Sequence, residues 1–213
     1  MPATSPALIE TIRVRNGTTP LWPLHLARLW RSCSVLGLSI PTLVVPARGE
    51  DRAVRLELSN RGPAWSSRPL GGTDPVKLVT SRIKHTPYRD KTTDRDQFDA
   101  ALAEAQAVAA DDALMLTDEG MVAECSMFAL FWWEGNRVCT PALSLGVLPS
   151  VSRMRIAEVV GGVSEREVVR SSLPAAGVFV ANAVRGIVSV ASIDRVSCAE
   201  NPATADLRAR FWP

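Results

Sequence analysis

The alternation of apolar and polar positions changes period several times along the chain. Leu8 to Val14 alternates apolar and polar residues and then meets Asn16-Gly17, a pattern that predicts a strand entering a hairpin turn. After Pro23 the apolar positions recur at helical spacing, at Leu26, Leu29, Trp30, Cys33 and Leu36, with Gly37 as the stop. Residues 54–58 read as a short strand. Residues 66–75 are rich in Ser, Gly and Pro, and form the candidate interdomain linker. The expected organisation is a small N-terminal α/β domain over residues 1–70 and a larger C-terminal domain over residues 71–213.

The second part opens with a strand at 76–80. A loop then runs through His85-Thr86-Pro87-Tyr88 to Lys91. Phe98, Leu102, Ala105 and Ala109 predict a helix over 96–110. Short strands follow at 113–116, 122–124, 128–132 and 137–139, punctuated by Asp118-Glu119-Gly120 and Glu134-Gly135-Asn136. A helix is expected at 152–160, strands at 178–181 and 187–193, and a closing helix at 206–211. Runs of strands with segregated helices predict the α+β class.

Composition narrows the function classes. Of the 213 residues, 46% are hydrophobic and 22% charged, enough apolar material for a real core. A net charge of +2, spread along the chain, argues against a nucleic-acid partner. No apolar run reaches the length of a membrane span, and residues 1–6 lack a signal-peptide pattern, so a cytoplasmic protein is expected. Cys33, Cys125, Cys139 and Cys198 form no C-x-x-C pair and are expected as buried free thiols. Two histidines, His25 and His85, make a histidine-based zinc site improbable.

Arginine is abundant, yet there are only three lysines: Lys77, Lys84 and Lys91. Arginine stays protonated and cannot serve as an amine nucleophile, so a chain that otherwise writes Arg keeps Lys where the amine is needed. Asp90-Lys91-Thr92-Thr93-Asp94-Arg95 stands before a predicted helix. Upstream, Leu8 to Arg13 is followed by His25-Leu26-Ala27-Arg28-Leu29. Downstream lie three more segments: Glu119 to Cys125 continuing to Pro141, Gly146 to Arg153, and Val180 to Gly186.

These five segments, in this order, resemble the class IV aminotransferases, and above all the aminodeoxychorismate lyase branch. The resemblance covers nearly the whole chain. It implies a two-domain, D-amino acid aminotransferase-like α+β fold, pyridoxal 5'-phosphate (PLP) as cofactor, a small-molecule substrate and a homodimer. It makes Lys91 the lysine that bonds the cofactor and Glu124 the acid facing the pyridine nitrogen. Arg28 would contact the phosphate. The N–H groups of Val151 and Ser152, with the Ser152 hydroxyl, would cap a helix and hold the phosphate as well. Asn182 and Ala183 belong to the loop that closes the cofactor side. Arg95 and Arg185 are the candidates for substrate carboxylates.

The implied reaction is conversion of 4-amino-4-deoxychorismate to 4-aminobenzoate and pyruvate. The alternatives are a D-amino acid or branched-chain aminotransferase, or a family member that has lost catalysis. Departures from the family pattern motivate these alternatives. The first domain is trimmed at its front. Ala129 and Ala183 replace polar residues, Cys125 and Ser150 replace glycines, and Ser152 replaces threonine. Tyr88, the single tyrosine, matches no family tyrosine. Each lost neutral hydrogen bond would weaken cofactor binding by about 1 kcal/mol.

Overall fold

The computed structural model describes residues 6–213; residues 1–5, most of the segment read as lacking a signal peptide, lie outside the described residues. The chain builds two sheets. The first is antiparallel in the order β1-β2-β3, from β1 (Leu8–Val14), β2 (Arg52–Ser59) and β3 (Gly62–Arg68). One face of it, Leu8, Leu56 and Leu58, packs on Leu29 and Cys33 of helix α1 (Trp22–Leu36). The other face carries Ile9, Thr11, Arg55 and Arg68 toward a cavity.

The second sheet has nine strands: β4 (Val76–Lys84), β5 (Asp112–Leu116), β6 (Val122–Cys125), β7 (Ala129–Glu134), β8 (Arg137–Pro141), β9 (Ser164–Arg166), β10 (Val178–Asn182), β11 (Gly186–Ile193) and β12 (Val196–Ser197). Their order is β6-β5-β4-β11-β10-β7-β8-β9, with β12 beside β11. Strands β4 and β5 are parallel, joined by helix α2 (Asp96–Ala107), whose Phe98, Ala101 and Ala105 pack on Ala113 and Met115. Helices α3 (Val151–Val160) and α4 (Pro202–Arg210) cover the opposite region. There Ile156, Leu207 and Phe211 meet Phe131 and Phe179, whose rings stack with centroids 5.3 Å apart. Strands β7 and β10 are buried on both faces. Phe131 and Phe179 point one way, while Leu130, Trp132, Val178 and Val180 point the other.

Several expectations need correction. Asn16 and Gly17 do form a tight turn: both have positive φ, 49° and 70°, and Arg15 and Thr18 exchange two backbone hydrogen bonds. No hairpin follows, because Pro20 and Pro23 cannot donate to a ladder and the chain enters α1; the partner of β1 is β2. Trp30 and Leu36 face outward from α1, at 61% and 47% exposure. The helix instead buries His25, Arg28 and Ser32 beside Leu29 and Cys33. The expected linker begins late, since residues 66–68 belong to β3. All four cysteines are free thiols, and Cys198 is only partly buried. No helix among the described residues is long and apolar enough to cross a membrane.

Candidate active site

A cavity of about 390 Å³ lies between the two sheets. That volume falls within the range of small-molecule sites, roughly 300–1,000 Å³. Its walls contain Arg28, Lys91, Arg95, Glu124, Val151, Ser152, Asn182, Ala183 and Arg185, drawn from five separate stretches of sequence. Lys77 and Lys84 are exposed and point elsewhere.

Lys91 sits on the loop between β4 and α2. The loop is stitched to β1: Ile9 N–H donates to the Lys91 carbonyl at 2.8 Å, Thr93 N–H to the Ala7 carbonyl at 2.8 Å, and Ala7 N–H to Thr93 Oγ1 at 3.0 Å. Burial, reinforced by the guanidinium groups of Arg95 and Arg28, lowers the Lys91 amine from 10.5 to about 7. A sizeable neutral fraction at neutral pH is what an amine nucleophile or base requires.

Glu124 lies in strand β6 with its carboxylate buried. Oε1 accepts from His85 Nε2 at 3.0 Å and from Leu148 N–H at 3.2 Å, and Oε2 accepts from the Tyr88 hydroxyl at 3.3 Å. Among the described residues no arginine or lysine forms an ion pair with it; His85 is its sole ion-pair neighbour. A buried carboxylate without a cation is costly unless a ligand supplies one. Neither His85 nor Tyr88 was expected here from sequence. Their positions depend on Gly146: at φ +77°, a Cβ there would stand 2.3 Å from Pro87 Cβ, and its carbonyl accepts Tyr88 N–H at 3.0 Å. A side chain at 146 would push away the loop that carries Tyr88.

Arg28 is held by a second buried carboxylate, also absent from the expected set. Glu10 Oε1 accepts from Arg28 Nε at 2.8 Å, and Oε2 accepts from Arg28 Nη2 at 2.5 Å and His25 Nδ1 at 2.6 Å. Burial opposes ionisation of Glu10, but Arg28 and His25 overcome it and hold its pKa near 2. Burial lowers the pKa of His25. The sequence signal for this cluster was His25 and Arg28 three residues apart on a helix face that also carries Leu29.

The helix cap differs from expectation. Ser150, not Ser152, is the N-cap residue of α3, accepting Arg153 N–H at 3.1 Å. Ser152 Oγ donates to the Ala181 carbonyl at 3.1 Å, which ties α3 to β10. The N–H groups of Val151 and Ser152 find no acceptor among the described residues, and both residues line the cavity. A helix N-terminus with free N–H groups suits a phosphate. Asn182 shapes the next loop, its Oδ1 accepting from Val184 N–H at 3.0 Å and Arg185 N–H at 2.8 Å. Arg185 packs over Phe128 and gives Nη2 to the Asp74 carbonyl at 3.1 Å, while its buried Nε has no partner among the described residues. Arg95 donates to the Ser126 carbonyl at 2.9 Å.

With this geometry in view, the comparisons place the chain. Residues 59–193, well over half of it, match the model of the amino-transferase class IV family, and the chain belongs to that family, whose cofactor is PLP. The fold is shared with a provisionally assigned 4-amino-4-deoxychorismate lyase from Legionella pneumophila, at 25% identity, TM-score 0.81, and coverage of 94% of this chain and 88% of that one. It is likewise similar to a branched-chain aminotransferase from Thermoproteus uzoniensis (24% identity, TM-score 0.82, coverage 96% and 84%). A third similar structure is a PLP-bound hypothetical aminotransferase from Mycobacterium tuberculosis (20% identity, TM-score 0.81, coverage 96% and 87%). Among curated proteins no match is found.

Proposed function

We propose that this protein is a PLP-dependent 4-amino-4-deoxychorismate lyase, in which parts 1–70 and 71–213 form two domains that wall a common site. The observation that carries the cofactor reading is convergence. An amine with its pKa near 7, a buried carboxylate without an arginine or lysine ion pair among the described residues and two free helix N–H groups all meet one cavity. They match the cofactor's carbonyl, its pyridine nitrogen and its phosphate. Arg28, with Nε and Nη2 tied to Glu10, joins the phosphate group. Bound there, PLP supplies an electron sink for a negative charge developing on a neighbouring carbon. Lys91 would hold the cofactor through its amine, and that amine would take the proton from the substrate carbon that bears nitrogen. Loss of that proton with rupture of the enol-ether C–O bond would leave 4-aminobenzoate and the enolate of pyruvate, whose methylene carbon would take the proton back from Lys91 to give pyruvate.

Five arginines line the cavity; Arg28 is paired with Glu10, Arg55 with Glu57 and Arg95 with Asp99, which leaves Arg68 and Arg185 as the excess among the described residues. A substrate with two carboxylates matches that excess, which supports the lyase over an aminotransferase of simple amino acids. The reading includes the homodimer implied by the family. Titration of purified protein with PLP should give a saturable visible band that Lys91→Ala abolishes and Lys84→Ala keeps. Pyruvate release from 4-amino-4-deoxychorismate should follow the same pattern. A band in Lys91→Ala equal to wild type overturns the lysine assignment. Conversion of bound PLP to its amine form by a branched-chain or D-amino acid, without pyruvate release from the chorismate derivative, moves the assignment to an aminotransferase.

A further inference from the structure

His85 has no part in the reaction outlined above, yet it is 3% exposed and its ring meets the one carboxylate in the cavity wall. A carboxylate only accepts, so His85 Nε2 must carry the hydrogen in the 3.0 Å contact to Glu124 Oε1. Its Nδ1 is buried with no partner among the described residues. The contact to Glu124 is therefore the ring's one hydrogen bond among the described residues. The ring is fixed from the side by Phe98, with centroids 6.4 Å apart. Oε1 thus receives two donors from rigid supports, His85 and the Leu148 amide.

The other oxygen is treated differently. Tyr88 reaches Oε2 at 3.3 Å, long for a hydroxyl donor, whose usual distance is about 2.7–2.8 Å. Tyr88 lines the cavity beside Glu124, whereas His85 does not. One oxygen is therefore anchored from behind, and the other is lightly covered on the cavity side.

We propose that His85 is a positioning residue for the cofactor acid: with Leu148 N–H it locks Oε1, so that Oε2 is presented to the pyridine nitrogen, and Tyr88 is the weak donor that yields when that nitrogen arrives. This inference rests on the PLP reading above. It extends that reading to a residue that touches neither cofactor nor substrate.

The test is binding of PLP labelled with ¹⁵N in its ring, read by the nitrogen chemical shift, which reports ring protonation, and by the dissociation constant. Wild type should show a protonated ring. His85→Leu should move the shift toward the unprotonated value and weaken binding about tenfold, the equivalent of one charge-assisted hydrogen bond. His85→Gln, whose amide nitrogen can occupy the place of Nε2, should restore both readouts. His85→Asn, polar but too short, should not. If His85→Leu does not fold, the Gln and Asn pair decides the matter alone. A wild-type shift in His85→Leu, or equal shifts in the Gln and Asn variants, overturns the role of His85 while leaving the cofactor reading intact. Absence of PLP binding in wild type overturns both.

Discussion

The molecule contains two buried carboxylate–histidine pairs built from the same groups for opposite ends. Glu10 and His25 lie 2.6 Å apart under α1, and Arg28 completes the charge balance there. Glu124 and His85 lie 3.0 Å apart at the cavity wall, with no arginine or lysine in ion-pair contact among the described residues. The first pair is closed: each Glu10 oxygen is matched, and the product is a fixed Arg28. The second pair is open. Its imbalance is tolerable because a ligand can complete it. The difference teaches that a buried carboxylate becomes a site through what its partners leave unneutralised, rather than through burial itself.

The comparison can be broken most forcibly at Glu10. Glu10→Ala leaves Arg28 and His25 buried without their anion and should cost about 3–5 kcal/mol in chemical denaturation at pH 7. Because the folded-state pKa of Glu10 lies near 2, below its ordinary value of 4.5, its contribution is fully present above that ordinary value. It is lost as pH falls toward 2, so the gap between variant and wild type should shrink with acid. A mutant as stable as wild type at pH 7 would show that the closed pair is not structural.

Lys91 lies in the field of both carboxylates, and of Arg95 and Arg28, which prevail together with burial. Its folded pKa, about 7, is depressed from 10.5. The unfolded chain therefore binds the proton more readily between those values, and stability rises with pH across that window. Lys91→Met should stabilise the cofactor-free protein at pH 6, where both states carry the charge, with the gain fading by pH 10. A gain independent of pH would mean that the amine is not under strain.

The smallest effect is expected at Glu124. Glu124→Gln in the cofactor-free protein should change stability by no more than about 1 kcal/mol, since no internal cation is orphaned. A loss as large as that of Glu10→Ala would erase the contrast between the two pairs.

Most of this arrangement was legible in the sequence where patterning is strong. The helices α1 and α2 and strands β1, β2, β5, β7, β10 and β11 follow from apolar period and from turn residues such as Gly135. Strand β3 was not legible: its Pro63, Ser66 and Ser67 carry no strand propensity, and it forms because a β2 edge needs pairing. Strands β9 and β12, three and two residues long, are too short to leave a period. Lys91, Glu124 and the loops around them were found by resemblance, which transfers what relatives share. His85, Tyr88 and Glu10 escaped it because their roles depend on distances across 39, 36 and 18 positions, to Glu124 and to Arg28. For His85 and Tyr88 the available hint was chemical economy: a single tyrosine and one of two histidines stand just ahead of the candidate lysine.

The stitching of the Lys91 loop to β1 bears on how the two halves of the protein can move. The backbone at Lys91 is bonded to Ile9, and that at Thr93 to Ala7, while α2 and the large sheet hold the far end of the same loop. Any breathing of the cleft must either carry the amine along with the three-stranded sheet or tear those amide bonds first. The amides of Ile9 and Thr93 are thus natural reporters of opening. Their hydrogen-exchange rates set an upper limit on how often the two walls part, and so on how quickly a bound molecule can leave by that route.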